Sequence, residues 1–83
     1  MYKVKFTARA KRELKQLSKE DKLSIAIVVE DLKEDPLIGK VLGRDFLNRF
    51  SYRIGVYRIV YKVNEKDKII EIVTAGHRST IYN

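Results

Sequence analysis

The sequence contains no cysteine, which excludes a disulfide framework and a thiolate zinc site. No apolar run approaches the roughly 20 residues that a membrane-spanning helix needs. The first residues, MYKVKFT, alternate polar and apolar side chains, unlike the continuous apolar core of a secretory signal. These absences predict a chain of the reducing cytoplasm with no membrane partner. There is one histidine, so no histidine-rich metal cluster can form. No phosphate-cradling glycine loop, Ser/His/Asp set, internal repeat, low-complexity tract or linker is visible either. Neither a metal nor a cofactor is expected.

The 83 residues suit one domain spanning 1–83. A domain of this size buries only about 60–65% of its unfolded surface, so a large cleft would be costly. The formal net charge of +7 is unevenly spread. Residues 1–19 carry a net +6, residues 20–38 a net −4, residues 39–63 a net +5, and residues 64–83 balance. Two basic blocks around an acidic one predict a basic surface with a separate acidic patch. Such a surface suits phosphate backbones or acidic proteins.

YKVKF alternates and reads as a short strand. Thr7 can cap a following helix, in which Ala10, Leu14 and Leu17 share one face. Ser18 with Asp21 resembles a capping box and starts a second helix from about Glu20 to Lys33. Its expected apolar stripe is Leu23, Ile27, Val28/Val29 and Leu32. Asp35-Pro36 ends it, because proline disfavours helix in the preceding residue. LIGKVLGRDFLN reads as an irregular connection. From there the period is two: RFSYRI, YRIVYKV and IIEIVTAG are three antiparallel strands. Gly55-Val56 joins the first pair in a type II′ turn, and NEKD joins the second. The expected fold is α+β: a short N-terminal strand, a two-helix hairpin, then an antiparallel β-meander with the helices packed on one face of the sheet.

The Gly55-Val56 loop fixes the hairpin register. Phe50, Tyr52, Ile54, Tyr57, Ile59, Tyr61 and Val63 then share the core face. Arg49, Ser51, Arg53, Arg58, Val60 and Lys62 share the other, with Arg53 directly opposite Arg58. Like charges in that position are destabilising, and neither strand holds an acidic residue to relieve them. The arrangement calls for an anion from outside, since guanidinium groups bind phosphate in a bidentate manner. An acidic protein partner would satisfy the same charges.

RFSYRIGVYRIVYKV, followed by a turn, a strand and AGHRSTIY, resembles the RelE/ParE superfamily of toxins from toxin–antitoxin systems, on its RelE-like branch. The strand, the two helices and the DP after the second helix fit as well, so the resemblance covers nearly the whole chain. It implies a ribosome-dependent mRNA endonuclease that inhibits translation, with a cognate antitoxin, acidic or amphipathic, as protein partner. By position, Arg58 matches the family's central arginine, Arg78 the arginine after the last strand and Tyr82 the C-terminal tyrosine. His77 occupies a position that is often His in close relatives, and Arg53 matches one of two basic residues before the hairpin turn. The second of those falls at Ser51, a departure, with Arg49 two residues further along the same face. Two other activities stay open: ParE-like binding of DNA gyrase without nuclease chemistry, and an antitoxin- or nucleic-acid-binding module whose catalytic set has decayed.

RNA cleavage needs no metal when the 2′-OH attacks its own phosphate. It then requires a proton acceptor, positive charge on the phosphorane-like transition state and an acid for the 5′-oxygen. Arg53, Arg58 and Arg78 suit the second role, Tyr82 the first, and His77 or an arginine the third. Arg49 and Lys62 on the sheet, with Arg9, Lys11 and Arg12 on the first helix, are the expected phosphate-binding residues for mRNA on the ribosome.

Overall fold

A computed structural model of the protein describes residues 1–41 and 49–77, with Lys40, Val41 and His77 described by backbone alone. The chain runs β1 (Lys3–Phe6), α1 (Ala8–Lys15), α2 (Lys19–Glu34), β2 (Lys40–Val41), β3 (Arg49–Ile54), β4 (Tyr57–Asn64) and β5 (Ile69–His77). One mixed sheet has the strand order β1-β5-β4-β3-β2. Strands β2 to β5 pair antiparallel in succession. Strand β1 lies parallel to β5, with Lys3 opposite Ile69 and Phe6 opposite Ile72. The strand, the two helices and the meander therefore stand as the sequence predicts. The connection after α2 differs, because Lys40 and Val41 leave irregular structure to add a fifth strand against Ser51 and Phe50.

Both helices start on side-chain caps. The Ala10 amide donates to Thr7 Oγ1 at 3.0 Å and the Asp21 amide to Ser18 Oγ at 3.2 Å, each satisfying a donor the helix leaves free. Thr7 also donates its hydroxyl to the Val73 carbonyl at 2.7 Å, which ties the start of α1 to the edge of β5. Helix α1 ends at Lys15, so Leu17 reaches the core from the turn beyond it.

The core is formed by Ala10 of α1, by Ile25, Val28, Val29 and Leu32 of α2, and by Ile59, Tyr61, Ile70, Ile72 and Ala75 of the sheet. The buried stripe of α2 follows the i, i+3, i+4, i+7 spacing from Ile25. The expectation that Leu23 and Ile27 belong to it is wrong: they are 59% and 65% exposed. At about 100° per residue they lie roughly 160–200° around the helix from Ile25. The apolar residues of α2 occupy nearly every direction, so periodicity alone does not choose the side that packs on the sheet.

The hairpin stands in the expected register, with Ile54 opposite Tyr57, Arg53 opposite Arg58, and Ser51 opposite Val60. Gly55 has φ +57° while Val56 stays outside the left-handed region, as a type II′ turn requires. Strand β5 contains a bulge. Val60 pairs with Thr74 and Tyr61 with Ile72, which leaves Val73 as an extra residue. Ile70 and Ile72 before the bulge and Ala75 after it all reach the core. Thr74 and Gly76 are thereby moved to the opposite face. In an unbroken alternation they would follow Ile70 and Ile72 into the core.

Candidate functional site: the arginine face of the sheet

The face away from the core is organised in cross-strand rows. The first row is Arg53 of β3, Arg58 of β4 and Gly76 of β5. The second is Lys40, Ser51, Val60 and Thr74. The third is Arg49, Lys62, Glu71 and Lys5. Sheet pairing therefore brings together Arg49, Arg53, Arg58 and Lys62, which the sequence assigned to one face.

The rows differ in character. Arg53 is exposed; Arg58 is half-buried, and its Nε atom is shielded from solvent. A guanidinium so held is restricted in direction. In the second row Ser51, Val60 and Thr74 are each under 8% exposed. The face is thus less open at its centre than the strand alternation suggests, because short side chains sit there between rows of long ones. In the third row the acidic Glu71 stands between Lys5 and Lys62, while Arg49 and Lys62 are like charges in register. A depression of about 670 Å³ at this end is lined by Lys5, Lys62, Asn64, Glu65 and Glu71 among others. Lys62 and Arg49 lie four residues along the strands from Arg58 and Arg53, or about 13 Å.

Ser51 replaces an expected basic side chain, and the residue in register with it on the outer strand is Lys40. A reading of residues 37–48 as an irregular connection cannot reveal that placement, because it depends on a two-residue strand pairing ten residues away. On β5 the residue in register with Arg58 is Gly76, while His77 is in register with Tyr57. Arg78 and Tyr82 lie outside the described residues.

Helix α1 runs beside the half of β5 that β1 leaves unpaired. Arg9, Lys11 and Arg12 are exposed on it. Arg9 shares a flank with Glu13, whose Oε2 is 3.7 Å from Arg9 Nε. Glu13 was not singled out by its chemistry, yet it is the sole acidic residue among the first 19. Thr74 places its hydroxyl 2.6 and 2.8 Å from the two Glu13 carboxylate oxygens, and the Ala75 amide donates to Glu13 Oε1 at 3.3 Å.

Two tyrosines on the core side are held neutral. The Tyr57 hydroxyl donates to Asp21 Oδ2 at 2.6 Å. That bond first, then desolvation and the Asp21 charge, raise its pKa. Tyr61 is fully buried, and desolvation pushes its pKa up to about 12. Its hydroxyl donates to the Pro36 carbonyl at 2.8 Å and accepts from the Gly39 amide at 3.1 Å. These groups have no phenolate to offer as a base near neutral pH. They build the scaffold, as their place on the core face predicts.

The chain is thus a small α+β domain with paired arginines on the outer face of its sheet, and with its helices on the other side of the sheet or along its edge. Comparison with known proteins makes this specific. Residues 4–82 match the family described as ParE toxin of type II toxin-antitoxin system, parDE. Toxin RelG of Mycobacterium tuberculosis is 37% identical over 86 aligned residues, covering 98% of this chain and 95% of the relative. The toxin–antitoxin complex RelBE2 of the same organism contains a chain 36% identical to this one, with a TM-score of 0.78 over 93% of this chain and 98% of that one. The isolated RelE toxin of E. coli has the same fold, with a TM-score of 0.83 at 23% identity over 99% of this chain and 92% of that one. The chain belongs to the RelE/ParE superfamily of type II toxin–antitoxin toxins.

Proposed function

We propose that this toxin is a ribosome-dependent mRNA endonuclease that works without a metal ion. The observation that carries the reading is the row Arg53–Arg58 on the outer face of the sheet. It is a pair of like charges that a phosphate would relieve. In the reaction the 2′-oxygen attacks the adjacent phosphorus, the P–O5′ bond breaks, and the products are a 2′,3′-cyclic phosphate and a 5′-hydroxyl. Arg58 and Arg53 stabilise the extra negative charge of the phosphorane-like transition state. Arg78 adds to that charge, Tyr82 takes the 2′-proton, and His77 or an arginine protonates the leaving 5′-oxygen. Arg49, Lys62, Arg9, Lys11 and Arg12 hold the flanking phosphates.

The same charges define a protein partner. A cognate antitoxin, acidic or amphipathic, covers the arginine rows and the basic α1 and so removes their mutual repulsion. The RelBE2 relative, described as a toxin–antitoxin complex, supports this reading. Primer extension on translating ribosomal complexes tests the nuclease: new 5′ ends within codons are expected on adding the toxin, and their absence sinks it. The match to a family described by its ParE toxins supports a second reading, binding of DNA gyrase. Inhibition of supercoiling without any mRNA cleavage would establish that alternative.

A further inference from the structure

The first row of the site has no side chain on β5. Gly76 is the register partner of Arg58, and the space where its Cβ would stand is approached by Glu13 Oε2 at 3.6 Å. Glu13 comes from α1, across the free edge of β5. It accepts from Thr74, in the second row, and from the Ala75 amide, which lies beyond the part of β5 that pairs with β1. Bonds to a carboxylate at about 2.6–2.8 Å are charge-assisted and stronger than neutral ones. Thr74 is 6% exposed and the Glu13 side chain 21%, so this joint is partly sheltered from competing water. It also falls immediately after the Val73 bulge, at the residue where β5 rejoins the ladder with β4 through the pair Val60–Thr74.

We propose that Glu13 is a positioning residue of the arginine site. It acts through Thr74 and Ala75, locking the end of β5 to α1 so that Gly76 stays beside Arg58 and Arg9 is held on the same flank. The inference rests on the nuclease reading above. It deepens that reading by adding a residue that touches neither substrate nor scissile phosphate. Losing the joint frees the post-bulge segment to shift relative to β4, and a misplacement of about 1 Å at such a site costs on the order of 10²-fold in rate.

The test measures single-turnover cleavage of mRNA on stalled ribosomal complexes with wild-type toxin, Glu13→Ala, Glu13→Gln and Thr74→Val, each normalised to its folded fraction by circular dichroism. Glu13→Ala is expected to lower the maximal rate by about 10–10²-fold with the half-saturating ribosome concentration unchanged. Glu13→Gln keeps an acceptor oxygen of the same reach and should restore most of the rate. Thr74→Val, which preserves shape and removes the donor, should reproduce the loss even if Glu13→Ala does not fold. Wild-type rates in a folded Glu13→Ala, or in Thr74→Val, overturn the assignment while leaving the nuclease intact. A wild-type toxin that cuts no mRNA overturns the nuclease reading itself and this inference with it.

Discussion

Arg53 and Arg58 face each other across the β3–β4 hairpin, and the next position in that row, Gly76, adds no side chain beside Arg58. The far row also opposes two basic residues, Arg49 and Lys62, but there the next position on β5 is the acidic Glu71. Arg58→Ala should lower ribosome-dependent cleavage by about 10²–10³-fold, the usual cost of removing one group that stabilises transition-state charge. The thermal midpoint should stay close to wild type, since Arg58 lies on the face of the sheet away from the core. Primer extension and thermal denaturation on the same preparation check both halves. A folded variant that still cuts would remove Arg58 from the mechanism.

Gly39 allows no side chain. A Cβ there would lie 2.5 Å from Tyr61 Oη and 2.8 Å from the Ser51 carbonyl oxygen. One belongs to a buried phenol and the other to sheet backbone, so neither can withdraw. Gly39→Ala should destabilise the fold by about 1–3 kcal/mol, as overpacking does. Urea denaturation measures it. An unchanged midpoint would mean that the 36–39 segment moves freely off Tyr61.

Tyr61 sets the alkaline limit. Its pKa is about 12 in the fold against about 10 in the unfolded chain. The raised value means that the neutral phenol is favoured by folding. Its stabilisation is full below pH 10 and is lost as pH rises from 10 through 12. Stability followed by circular dichroism should fall across that window. Tyr61→Phe should flatten this part of the profile, at a cost of about 1–3 kcal/mol near neutral pH for the partners left unsatisfied at Pro36 and Gly39.

The two sides of α2 should respond in opposite ways. Leu32 is fully buried, whereas Ile27 is 65% exposed. Leu32→Ala should cost about 2–5 kcal/mol, and Ile27→Ser should stay within about 0.5 kcal/mol of wild type. Equal losses in chemical denaturation would contradict the packing side observed for the helix.

Residues 49–63 show what was legible from the chain itself. Strict alternation over two strands, joined by a glycine that accepts φ +57°, determines which side chains share a face. Both the period and the turn are local properties. The caps at Thr7 and Ser18 and the stop at Pro36 are equally local, and they stand as read. The basic character of the site followed from charge counting alone. What only the tertiary structure decided depends on segments distant in sequence. The side of α2 that packs was chosen by the sheet, because the apolar residues of the helix point in nearly every direction around it. Strand β2 exists by pairing with β3. The bulge at Val73 reverses the facing of Thr74 and Gly76, since register is set by the neighbouring strand and not by the pattern of IIEIVTAG. Glu13 reaches that reversed segment across 61 residues of chain, a contact that no local period encodes.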